Sequence, residues 1–215
     1  MLLSIERSSS PGSVALFSDN GNLICSVSET AESRHGGDSF CPVKTLLDEF
    51  GADINAIRRF AVGIGPGSFS GIRSAIALLE GLALPIGVGI EGVNSAHAAA
   101  QAFRKTAPEY SCGATVAVVG DARRGHIWVV VYGPDDGAKE VELVNLADLT
   151  EKIPEDAAII TPDWDRLGDF LSERFSSARI HNSNPTAVAV GELAFAGFTV
   201  PAVPLYMHRA VEPAV

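Results

Sequence analysis

The chain is short of the residues that staple, anchor or electrostatically commit a protein. Its three cysteines, Cys25, Cys41 and Cys112, are odd in number, widely spaced and form no Cys-x-x-Cys pair. That argues against a disulfide framework and against a cysteine-held zinc. Basic residues are in deficit: 16 Lys and Arg against 26 Asp and Glu leave a formal net charge of -10. Such a field attracts no phosphate backbone, so nucleic acid would be met only through a local basic patch or a partner. The opening MLLSIERSSS has no basic segment before its short apolar run and is a poor signal peptide. No apolar run reaches the ~20 residues that cross a bilayer. The expectation is a cytoplasmic chain without a membrane segment.

Apolar bulk, by contrast, is plentiful. Of 215 residues, 47% are hydrophobic and 20% charged, enough to bury a core and too apolar for disorder. Residues 2–5, 13–17 and 23–28 read as strands, the last two joined by the turn-forming Asp19-Asn20-Gly21-Asn22. Phe40, Val43, Leu46, Leu47 and Phe50 recur at helical spacing before Gly51. Strand 60–64, helix 71–82, strand 86–90 and helix 94–105 follow, with Asn94 or Ser95 as the cap of the last. After a boundary at 108–113 the order restarts with strands 114–119, 126–132 and 141–144. Strand 157–160 and helices 165–174 and 186–196 complete it. A meander followed by strand–helix alternation, written twice, predicts an α/β fold of two ribonuclease H-like halves, 1–108 and 109–215. The last helix and tail are expected to pack back on the first half.

Residues 63–83 read GIGPGSFSGIRSAIALLEGLA, a glycine-rich turn running into an apolar helix. It lacks the lysine and the spacing of a Walker loop, and Gly71 comes one residue late for a dinucleotide fingerprint. Gly67 and Gly71 have the spacing of a serine-nucleophile elbow, but Phe69 stands where the serine would be. What remains is a tight Gly65-Pro66-Gly67 turn, a Ser68 or Ser70 cap, and the anion preference any helix start offers.

The five histidines form no His-Glu-x-x-His. His97 lies four residues before Gln101, so the two share a helix face. Gln101 is a poor metal ligand, which leaves His97 as an ordinary surface or groove histidine. Asp121 follows a buried-type strand. It is either a turn aspartate or a carboxylate at the strand end where α/β folds place ligands. On the helix after the glycines, Ile72, Ala75, Ile76, Leu79, Leu82 and Ala83 form one apolar face, and Ala77, Leu78 and Leu84 carry the apolar character further round. A helix apolar on more than one side is buried on more than one side. Either it is a core helix between layers or it meets another chain.

Gly65-Pro66-Gly67-Ser68-Phe69-Ser70-Gly71-Ile72-Arg73 closely resembles the G-P-G-S-F-T-G-[LI]-R signature of the bacterial tRNA threonylcarbamoyladenosine biosynthesis (TsaB) family. Three weaker likenesses fall in the family's order. They are the opening LLSIERS at residues 2–8, the Asp121-Ala122-Arg123 triplet, and Pro204-Leu205-Tyr206-Met207-His208-Arg209 near the end. The family has the actin- and Hsp70-like fold. The resemblance implies a non-catalytic subunit that partners a TsaD-like catalytic chain, with a TsaE-like ATPase in the same complex. Alone it would form a homodimer, and it would meet tRNA only indirectly.

By carry-over the contact surface would lie on Phe40, Val43, Leu47, Phe50, Ile72, Ala75, Ile76, Leu79 and Leu82. No metal and no cofactor of its own are implied, ATP or ADP being placed only at the complex interface. The family's opening aspartate and threonine are Glu6 and Arg7 here. Glu6 and Asp121 would then be the vestiges of a nucleotide site, with Arg7 adding bulk and a cation. The competing readings are an actin-fold ATPase or kinase using Glu6 and Asp121 around magnesium, and a zinc peptidase.

Overall fold

A computed structural model describes residues 1–29, 41–110, 113–133 and 139–207. Three strands open the chain, β1 (Leu2–Glu6), β2 (Ser13–Phe17) and β3 (Leu23–Ser28), and helix α1 (Cys41–Phe50) follows. Then come β4 (Arg59–Gly63), α2 (Phe69–Ala83), β5 (Ile90–Val93) and α3 (Ser95–Thr106). The second series is β6 (Val116–Arg123), β7 (His126–Tyr132), β8 (Glu142–Asn145), a single turn α4 (Leu149–Lys152), β9 (Ala158–Thr161), α5 (Trp164–Ser172) and β10 (Ile180–Asn182). Helix α6 (Ala187–Phe195) and the two-residue β11 (Val200–Pro201) end it.

The two sheets repeat one topology. The first runs β11-β5-β4-β1-β2-β3 and the second β10-β9-β6-β7-β8. In each, a three-stranded antiparallel meander continues through its first strand into parallel partners: β1 pairs β4 as β6 pairs β9. This is the duplicated ribonuclease H-like α/β architecture the sequence predicts. Alternation within strands sorts side chains to the two faces. Leu3 and Ile5 join the layer holding α1 and α2, while Leu2 points to the layer holding α6. Helix α3 lies between the sheets, with Ala98 in one core and Ala99, Ala100 and Phe103 in the other. Helix α6 packs on the first sheet although it lies near the end of the chain, and Ser4 Oγ donates to Ala187 O at 2.7 Å.

Several predicted boundaries move. The run 86–90 is not a strand: Pro85 sits in a 3-10 turn, Gly87 adopts φ 67°, and pairing with β4 begins only at Ile90. An apolar, glycine-dotted run satisfies a strand pattern without supplying ladder partners. Strand β6 extends through Asp121 to Arg123. Strands β10 and β11 and the turn α4 are too short to carry a period. Phe40, the first residue of the predicted helical pattern, lies outside the described residues. The stretch Phe69–Ile86 also corrects the reading of apolar runs. It is long and apolar enough by composition to cross a membrane, and 28% of it is buried. Its buried side, Ile72, Ala75, Ile76, Leu79 and Ala83, is committed to the sheet beneath.

Candidate functional site: the cleft between the sheets and the outer face of the second helix

Helix α2 begins where four chain segments meet. Ser68 caps it, its Oγ accepting from Gly71 N at 3.2 Å. That settles the choice between Ser68 and Ser70. Its backbone also bonds the turn after β1, Ser68 N donating to Ser8 O at 2.7 Å. The glycines are dictated by this approach. A Cβ on Gly67 would stand 2.2 Å from Ser8 O, and one on Gly71 2.1 Å from Arg7 O. Gly65, at φ 99°, needs the left-handed region as well. Leu205 N donates to Ile64 O at 2.8 Å, and Tyr206 lies 5.3 Å from the ring of Phe69. The opening, glycine and closing motifs, far apart in sequence, therefore form one junction, with Pro66 buried inside it.

Glu6 is sealed within that junction and is 1% exposed. Its carboxylate accepts from Ser8 N at 2.6 Å and from Ser95 Oγ at 2.8 Å. Gly65 N in turn donates to Ser95 Oγ at 3.0 Å. Burial pushes the Glu6 pKa upward against the lowering effect of those hydrogen bonds. Gly63 leaves the necessary room, since a Cβ there would lie 1.9 Å from Glu6 Oε2. Arg7 turns away, pairing with Glu29 at 2.6 Å and donating to Ser74 Oγ at 3.0 Å. Two residues expected near a nucleotide site thus act as clamps between β1, β3, α2 and α3.

A cleft of about 1130 Å³ opens between the sheets. One wall is the turn after β1 with the start of α2, including Phe69 and Arg73. The other is the end of β6 with the start of α5. Asp121 lines this cleft and Glu6 does not, so the structure does not bring the two carboxylates together. Asp121 Oδ1 accepts from Arg123 N at 2.7 Å, and Oδ2 lies 3.3 Å from Arg123 and 3.6 Å from Arg166. Asp163 Oδ2 accepts from Asp121 N at 2.9 Å, and burial raises the Asp163 pKa. The guanidinium of Arg73 lies 4.9 Å from the centroid of the Phe69 ring. Sequence reading missed Asp163, Trp128 and Asn184 here, because nothing local marks them.

His97 is buried, not at the surface. Its ring stacks on Tyr132 at 4.9 Å and meets the edge of Phe198 at 5.0 Å. Gln101 donates to Glu192 at 3.0 Å. Among the described residues no group of three or more His, Cys, Asp or Glu could hold a metal.

The predicted contact residues divide. Val43, Ile72, Ala75, Ile76 and Leu79 belong to the chain's own core, Leu79 being fully buried. The reason is geometric: the strongest apolar face of a helix is the one its own sheet claims first. Leu47 and Leu82 are half-buried, and Phe50 is 51% exposed. What α2 turns outward is a different stripe, Arg73, Ala77, Glu80 and Gly81, flanked by half-buried Leu78 and continued by Leu84 at 80% exposure.

A family model described as TsaD, tRNA N6-adenosine threonylcarbamoyltransferase, matches residues 29–158. The chain belongs to this family. Among named relatives it is 32% identical over 137 residues to the Escherichia coli (strain K12) tRNA threonylcarbamoyladenosine biosynthesis protein TsaB, covering 63% of this chain and 56% of that protein. With the Buchnera aphidicola subsp. Schizaphis graminum (strain Sg) TsaB it shares 22% over 184 residues, 84% of this chain and 87% of that one. The solved structure of YeaZ from Pseudomonas aeruginosa superposes with a TM-score of 0.73 at 26% identity, covering 96% of this chain and 99% of that one. The TsaB likeness read from the glycine signature is thereby upheld, although the alignment to the Escherichia coli protein spans little more than half its length.

Proposed function

We propose that this chain is a non-catalytic docking subunit for threonylcarbamoyladenosine formation on tRNA. In this reading the outer face of α2, with the exposed end of α1, seats a TsaD-like catalytic chain and, in its absence, a second copy. The observation that carries it is the outward stripe of α2. Ala77, Leu78 and Leu84 leave an apolar surface beside small Gly81, on a helix whose inner face is already satisfied. Exposed apolar patches of this kind mark contact sites. The sealed Glu6, the arginine-paired Asp121 and the separation of the two support the absence of a nucleotide-hydrolysing centre. The chain would need no cofactor of its own, ATP or ADP being held only at the contact with its partners. A TsaE-like ATPase would join the complex, tRNA would be met through the catalytic subunit, and assembly would take place in the cytoplasm. Co-expression with a TsaD-like subunit and affinity capture test this directly. A stoichiometric complex is expected; failure to recover one, with both chains folded, would overturn the reading.

A further inference from the structure

The exposed side of α2 is complementary to itself when reversed. Phe69, Arg73, Ala77, Glu80 and Leu84 follow one another along it, and all five are exposed. In chemistry the order is apolar, cation, small, anion, apolar. Arg73 and Glu80 lie equally far from the midpoint between residues 76 and 77, and so do Phe69 and Leu84. Seven residues make close to two helical turns, so Arg73 and Glu80 share one side of the helix about 10 Å apart.

Neither charge is answered within the chain. Among the described residues no carboxylate pairs with Arg73 and no cation pairs with Glu80. The Arg73 guanidinium rests 4.9 Å from the centroid of the Phe69 ring, which holds it on this side of the helix. The overall field opposes self-association, since each copy carries a formal net charge of -10. Two copies can meet only where opposite charges are set against each other locally.

We propose that two copies of this chain meet through α2 in a single antiparallel register, fixed by Arg73 of each copy against the partner's Glu80. The proposal rests on the docking reading and deepens it by naming the charge pair that selects a second copy. A two-fold axis crossing α2 between residues 76 and 77 brings residue i opposite j and j opposite i. It forms the Arg73–Glu80 pair twice. The same axis sets Phe69, 57% exposed, against the partner's Leu84, 80% exposed, at both ends of the contact. Ala77 lies beside the axis, where a small side chain lets two helices approach closely. A parallel pairing would set Arg73 on Arg73 and Glu80 on Glu80, so the charges reject it.

Sedimentation equilibrium of the purified chain gives the dimer dissociation constant for the wild type, Arg73→Glu, Glu80→Arg and the double exchange Arg73→Glu/Glu80→Arg. Both positions are exposed, so all four are expected to melt alike. Each single variant places like charges opposite each other twice and should dimerise at least about tenfold more weakly than the wild type. The double exchange restores both pairs and should recover the wild-type constant. An equimolar mixture of the two single variants should form a mixed dimer, because the acidic stripe of one meets the basic stripe of the other. A wild type that shows no dimer would overturn the proposal. So would single variants that dimerise as tightly as the wild type, or a double exchange as weak as either single variant. Each of these failures leaves the docking reading to its own test, since capture of a TsaD-like chain is measured separately.

Discussion

Replacing Glu6 is predicted to weaken the whole junction rather than a reaction. Glu6→Ala leaves two buried donors, Ser8 N–H and Ser95 O–H, without their carboxylate. Each orphaned group costs about 1–3 kcal/mol, so the expected loss is about 4 kcal/mol. For a chain of this size that lowers the melting midpoint by roughly 8–16 °C, read by circular dichroism. Glu6→Gln separates charge from shape. Burial raises the Glu6 pKa in the folded state above that of a free glutamate. Its contribution is therefore complete in acid, below the unfolded pKa, and is lost as pH rises through the higher folded value. The glutamine variant does not titrate, so it should gain on the wild type as pH rises from acid to neutral. Asp163 shifts in the same direction but is common to both proteins. A Glu6→Ala chain that melts within about 2 °C of the wild type, less than 1 kcal/mol, would refute the clamp. So would a gap between wild type and Glu6→Gln that ignores pH.

Gly71→Ala should be markedly unstable despite a helix-favouring side chain, because its Cβ would meet Arg7 O at 2.1 Å. Overpacking of this kind costs about 1–3 kcal/mol, against the roughly 1 kcal/mol alanine offers elsewhere in a helix, and a urea melt gives the sign. Leu79→Ala should lose about 3–4 kcal/mol through a core cavity, again by urea melt, since Leu79 is fully buried. Leu84→Glu, at a site 80% exposed, should leave stability within about 0.5 kcal/mol of the wild type. That contrast shows which face of α2 is free for a partner.

Much of the fold is legible because its strands are apolar and its turns are marked. Asp19 to Asn22 announces a hairpin, Asn94 caps α3 with its side chain accepting from Ala96 N at 2.8 Å, and the 13–17, 23–28 and 126–132 strands stand where their patterns place them. Legibility ends where meaning depends on distant residues. An apolar helix face says that burial occurs but not against what, so Ile72, Ala75, Ile76 and Leu79 read as a contact surface while the sheet beneath claims them. Glu6 follows the family's opening aspartate by position, yet only the fold reveals Ser95 across from it. Trp128 looks like any strand aromatic until Gly120 fixes its ring and its N–H is found without a partner among the described residues. Arg7 reads as an added cation in a ligand turn; Glu29 and Ser74 make it a strut.

The central claim is that the outward stripe of α2 is the docking face. Its most direct measurement is size-exclusion chromatography with light scattering of the wild type and of an Ala77→Arg/Leu84→Glu variant, each mixed with a TsaD-like subunit. Both positions are exposed, so the variant should melt with the wild type. The wild type is predicted to elute as a complex and the variant as separate chains. A folded variant that still co-elutes in full with the catalytic subunit would contradict the account.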